Sequence, residues 1–233
     1  VLRHPLFFAV FTSSGIFTVP KGVKKIDVFC VGGGGAGGPQ YSYYSGAYQE
    51  YQAGYGGGAG YTKTVNGIAV TPGQQISVTV GAGGYFQYDY TVKSSYSGGS
   101  TSIGSFCAAS GGYRGFTYSA AYDAKFGYGG SGGGKGANYY YDSGYHYGGL
   151  GGKDGADGTG GKGQGTTTRY FGESNGTLYS TGGCGYGAPG SWAGGGANTG
   201  DGGRGGAYNL EVTAGSIPGE NGGSGVAIIK WSK

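Results

Sequence analysis

Of 233 residues, 63 are glycine, only 11% are charged, and the formal net charge is +4. Glycine far exceeds the usual ~7% and leaves few aliphatic residues for a core, yet aromatics reach 15%, so neither an ordinary globular nor a disordered composition fits. The 15 basic and 11 acidic side chains form no like-charged run, which leaves no electrostatic footprint for a nucleic-acid partner.

The chain opens on β-type sequence. Residues 6–12 read LFFAVFT, and IFTVP and VKKIDVFCV follow. In the last of these, Ile26, Val28 and Cys30 alternate with Asp27, Phe29 and Val31, the period of a strand. LFFAVF is too short for a secretory core, and no stretch reaches the ~18 apolar residues of a membrane span, so no membrane insertion is expected. Val1 is not an initiator methionine, as in a processed product or a fragment. A second β patch, GIAVTPGQQISVTVG, puts Ile76, Val78 and Val80 on one face after a Pro72-Gly73 turn. The third is GVAIIKW, residues 225–231.

Glycine recurs every third residue between these patches, at Gly32, Gly35 and Gly38, at Gly54, Gly57 and Gly60, and at Gly127, Gly130, Gly133 and Gly136. It does so again at Gly200, Gly203 and Gly206, and at five positions in register, Gly149, Gly152, Gly155, Gly158 and Gly161, within GGLGGKDGADGTGG, residues 148–161. Collagen shares the period but needs proline at its other sites, and only 6 prolines occur here. The alternative is an extended threefold helix without internal hydrogen bonds. Its peptide groups must then bond laterally to parallel neighbours. Ordering glycine costs most entropy, so such rods pack together or not at all. Residues 148–161 are expected to form one rod.

The expected fold is therefore all-β. It is a small sandwich or sheet formed by both termini, with an inserted bundle of polyglycine-II helices, long loops and little or no α-helix. Within a single domain, 1–31, 61–82 and 225–233 form the base, and 32–60 and 83–224 are glycine-rich insertions.

Catalytic patterns carry little weight in such a composition. GGSGG at 129–133 is formally GxSxG but lacks a strand before it and a helix after it. No Gly-Lys precedes Ser or Thr as a P-loop requires, and KDGADG does not repeat the spacing of a calcium loop. Cys30, Cys107 and Cys184 are odd in number and form no CxxC, which suggests neither a disulfide framework nor a zinc site. No enzyme, metal or cofactor is expected.

Tyrosine carries the functional signal. Twenty of the 24 lie between Tyr41 and Tyr147, in clusters that separate the glycine runs. The candidate contact residues are Tyr41, Tyr43, Tyr44, Tyr48 and Tyr51, then Tyr85, Tyr88, Tyr90 and Tyr96, then Tyr118 and Tyr122, and finally Tyr139, Tyr140, Tyr141, Tyr145 and Tyr147. Tyr, Ser and Gly are also the vocabulary of antibody loops, in which tyrosine gives rigid contact area at low entropic cost. Tyrosines that merely wall a lattice poor in side chains are the competing structural reading.

The succession VP-x-GV-x-x-I-x-V-x-x-VGGGG, GGGAGYTKT, VTPGQQISVTVGAGG, TTTR-x-FGE and GGSGVAIIKW resembles the glycine-rich domain of bacteriophage and prophage tail-fibre proteins, especially those of gut Firmicutes, over residues 11–231. The resemblance implies an extracellular adhesin at a virion tail-fibre tip, partnered with the rest of the fibre and with a protein or glycan receptor on the bacterial surface. It is similar in outline to the glycine-rich domain of anaplastic lymphoma kinase receptors. A self-assembling filament or coat protein, and a low-complexity RNA binder suggested by GGRGG at 202–206, are the alternatives.

Overall fold

In a computed structural model the described residues are 5–45, 48–88, 93–116, 126–136, 138–140, 144–146, 148–186, 188, 195–209 and 215–232. The period-two segments pair as β1 (Leu6–Phe11), β16 (Val226–Ser232), β3 (Lys25–Val31) and β6 (Thr62–Ala69), one antiparallel sheet in the order β1-β16-β3-β6. The two ends of the chain thus meet directly, with Phe7 opposite Trp231 and Cys30 opposite Ala227. A second sheet has the order β11-β10-β7-β2, from β11 (Cys107–Ala109), β10 (Thr101–Ile103), β7 (Gln75–Thr79) and β2 (Gly15–Thr18). Its strands β10 and β11 add TSI and CAA to the base, within a region that sequence assigned to the glycine-rich insertion.

Between the sheets lies the apolar core. Ile26, Val28 and Cys30 of β3 and Ala227 and Ile229 of β16 face Phe17, Ile76, Val78, Ile103, Cys107 and Ala109. The turns that lead into β3 and β7 are closed as their sequences demand, with Gly22 at φ 86° and Gly73 at φ 82°, a region open to glycine without strain.

The other face of β3 is also buried, which alternation alone does not explain. Phe29, Val31, Val226 and Ile228 are covered by Phe171, Tyr170 and Tyr179, from the TTTRYFGESNGTLY segment around a 3₁₀ turn at Tyr170–Gly172. Burial, with the charge of Glu173 nearby, raises the Tyr170 phenol to about 12. Asp154 pins this cover: its carboxylate accepts from the Thr167 hydroxyl (2.6 Å), the Thr168 amide (3.1 Å) and Arg169 Nε (2.9 Å). These hydrogen bonds, the Thr167 one foremost, hold its carboxyl below the usual carboxylate range.

Glycine runs leave the strand ends as laterally bonded rods. Along 33–38 the successive amides donate to Gly99, Gly223, Gly58, Tyr96, Glu220 and Tyr55, so three neighbouring rods are visited in strict rotation. Amides of Gly112, Gly84, Gly203, Gly115 and Gly206 donate back to the same rod from three further neighbours. This rod therefore has six neighbours. The rod at 54–61 repeats the pattern, donating in turn to carbonyls at 206, 116, 134, 203, 113, 131, 200 and 110. Partner numbers fall as its own rise, so those neighbours run antiparallel to it.

Glycine is required here by contact with backbone on all sides rather than at every third residue. A Cβ at Gly33, Gly34, Gly35 or Gly37 would collide with the carbonyl oxygen of Ala82, Asp201, Tyr113 or Arg204 respectively. One expectation needs correction: residues 148–161 are two short segments, not one rod. Asp154 (φ 52°) and Gly155 (φ 83°) reverse the chain, after Gly149 and Gly152 have bonded to Lys135 and Gly132. The carboxylate–Thr167 contact fixes that reversal.

Candidate functional site

The rods fix where the tyrosine clusters can be. Gly32, Tyr61 and Ser110 are bonded at the sandwich end of the lattice, next to β3, β6 and β11. Gly38, Gly54 and Gly206 are bonded at the opposite end, since Gly54 donates to Gly206 and Gly206 to Gly38. From that far end the chain enters the hairpin of β4 (Tyr41–Ser45) and β5 (Tyr48–Gln52), and that of β14 (Ala207–Asn209) and β15 (Gly215–Ile217). The hairpin of β12 (Asn138–Tyr140) and β13 (Gly144–His146) follows Gly136, where an added Cβ would strike the Ala53 carbonyl. A fourth, β8 (Phe86–Tyr88) with β9 (Lys93–Ser95), follows Gly84.

Two of the four hairpins merge. β5 pairs with β12, giving one antiparallel sheet in the order β13-β12-β5-β4. Tyr41, Tyr43, Tyr44, Tyr48 and Tyr51 are thereby brought into one sheet with Tyr139, Tyr140 and Tyr145, from a segment nearly a hundred residues away. The register puts Ser42, Tyr51, Tyr139 and Tyr145 in one row across all four strands. Tyr41, Gln52, Asn138 and His146 form the next row.

Tyr85, Tyr88 and Tyr96 belong to the separate β8–β9 hairpin. The rings of Tyr85 and Tyr96 stack at 4.2 Å and 18°, both exposed. Their mutual hydrogen bond raises the Tyr85 phenol. Tyr90, Tyr118, Tyr122, Tyr141 and Tyr147 lie outside the described residues.

Beneath this end sits an aromatic group that the tyrosine count overlooks. Phe116 stacks on Phe126 at 4.3 Å and meets Tyr55 edge-on at 5.9 Å, with the Arg114 guanidinium 5.8 Å above the Phe126 ring. Arg114 Nη1 also donates to the Ser95 carbonyl (3.3 Å), and the buried Ser95 hydroxyl donates to the Gly115 carbonyl (3.1 Å). β9 is thus fastened to the 110–116 rod, and β8 is held by the Phe86 amide donating to Asn221 Oδ1 at 2.7 Å. The phenylalanines of YRGF and KFGYGG were the available signal.

The formal motifs turn out to be lattice. Ser131 of GGSGG is fully buried, its hydroxyl accepting from the Gly155 amide. Arg204 of GGRGG sits in a rod, paired with Glu220 at 2.7 Å and lying 5.9 Å over the Tyr186 ring. Among the described residues no group of three or more His, Cys, Asp or Glu could hold a metal, and no helix is long and apolar enough to cross a membrane.

No curated protein matches the sequence. The family model for the glycine-rich domain matches residues 12–232, from the end of β1 to the end of β16 and so across sandwich, lattice and hairpins alike. The chain belongs to this glycine-rich domain family.

Proposed function

We propose that the domain is a non-enzymatic adhesin at the tip of a bacteriophage tail fibre, binding a protein or glycan receptor on the bacterial surface through its tyrosine-rich hairpins. The observation that carries this reading is the sheet that joins β4–β5 to β12–β13 at the end of the rods remote from the sandwich. A lattice whose rods are cross-tied by backbone hydrogen bonds, as along 33–38 and 54–61, makes a stiff mount, and binding residues gather on loops held by rigid scaffolds. Tyrosine suits such a surface because its ring offers broad contact and its hydroxyl a polar handle. The likeness of the VP-x-GV and TTTR-x-FGE segments to tail-fibre sequences supplies the biological setting. Replacing Tyr43, Tyr44, Tyr140 and Tyr141 by serine is expected to abolish binding to host cells while circular dichroism and thermal unfolding stay unchanged. Full binding by the folded variant overturns the reading.

A self-assembling filament is the second reading, favoured by one feature. β1 is an edge strand whose Leu6, Phe8 and Val10 are exposed, and bare apolar edges invite strand pairing between chains. A monomer by light scattering at high dilution and at millimolar concentration alike removes it.

A further inference from the structure

Cys30 and Cys107 come from different sheets, β3 and β11, yet share the same core cluster, with 0% and 2% exposure. Cys107 Sγ donates to the Lys63 carbonyl at 3.5 Å, and Lys63 stands directly opposite Cys30 in the β3–β6 register. A disulfide needs Cα atoms ~4.4–6.8 Å apart, closer than the ~10 Å mean spacing of packed sheets. Here the sheets converge because both strands run straight into the lattice. Two residues beyond Cys30, a Cβ on Gly32 would collide with the carbonyl of Ser110, three residues beyond Cys107. The amide of Gly32 and the carbonyl of Ser110 are moreover both bonded to Tyr61. The rods thus pinch the two sheets together at this corner. Cys184, also buried, lies in a different part of the lattice, where its carbonyl accepts from the Gly205 amide.

We propose that Cys30 and Cys107 are a modification site for a low-molecular-weight disulfide of the glutathione class, which converts them to an inter-sheet disulfide as the chain folds. The S–S bond forms as a thiolate of one cysteine attacks the mixed disulfide on the other. Overall the two protein thiols lose two electrons and two protons, and the small disulfide is reduced to two thiols. Exchange takes place before burial is complete, because the native site is closed to solvent. Once formed, the bridge is shielded from reductant in the same way. The partner is determined by position: neither strand could reach Cys184 without dismantling the lattice.

The test is refolding of the denatured full chain with oxidised and reduced glutathione, followed by alkylation, intact mass and non-reducing peptide mapping of the folded monomer. The expected product is about 2 Da lighter than the reduced chain, carries a single Cys30–Cys107 linkage and is alkylated only at Cys184 after unfolding. Its Tm is expected about 10 °C above that of the reduced form. Cys184→Ser forms the same bridge, whereas Cys30→Ala forms no intramolecular disulfide. Native protein held with oxidised glutathione below its urea midpoint gives the same readout without refolding. A folded monomer in which all three cysteines are alkylated, or a bridge that includes Cys184, overturns the proposal.

Discussion

At Gly37 the space of the missing side chain is taken by the Arg204 carbonyl and the backbone beyond it, whereas at Gly196 only the Thr199 side chain comes within 4 Å. The two residues look alike in sequence and differ in what surrounds them. Gly37→Ala must push two rods apart, and overpacking against backbone is expected to cost about 3 kcal/mol or more. Gly196→Ala, exposed and without a positive φ, is expected to change stability by under about 1 kcal/mol, toward stabilisation through the unfolded chain. Urea unfolding of the two variants checks both values; equal losses would contradict the close packing. The same distinction shows how far single residues were legible. A three-residue period marked the rods, but at Gly33, Gly34 and Gly37 the requirement comes from neighbours far along the chain, which no local period encodes. Nor could spacing reveal Cys30 beside Cys107, because an odd cysteine count says nothing of distance in space.

At the scale of elements, β3 is the strand that alternation described well and incompletely. Ile26, Val28 and Cys30 do face the core. Phe29 on the other side also needed a partner, and Phe171 supplies it, with ring centroids 5.7 Å apart and the Lys230 ammonium 4.2 Å over the Phe171 ring. Phe171→Ala opens that face and is expected to cost about 3 kcal/mol, read as a lower Tm, while leaving the hairpin end, and the receptor binding proposed for it, untouched. A variant as stable as the parent would mean that the TTTRYFG segment is an ornament rather than a cover. Of the strands, β10 and β11 were illegible because TSI and CAA are three residues each and mostly small, too short to show a period. The β5–β12 pairing was illegible for a different reason: tyrosine-rich low-complexity sequence fits many registers equally well, and the rods decide which segments meet.

For the whole molecule, sandwich and lattice share their strands' continuations, so neither can open alone. Amides of 33–38 and 54–60 are therefore expected to exchange with solvent as slowly as those of β3 and β16, by global unfolding only. Hydrogen exchange measured by mass spectrometry checks this, and fast-exchanging rods beside a protected sandwich would refute a single cooperative unit.

The rotation of partners around 33–38 also sets an order of assembly. Its amides reach Tyr55 and Gly58, then Tyr96 and Gly99, and finally Glu220 and Gly223, close to two hundred residues downstream. β16, the strand between β1 and β3, follows directly after that last partner. A ribosome must therefore deliver almost the entire domain before its central rod can close, and half-made chains leave an apolar β3 and a row of bare peptide groups uncovered. Such long-range closure makes for slow folding and long exposure to aggregation. The stiffness of the finished lattice and the vulnerability of the nascent chain thus arise from the same hydrogen bonds.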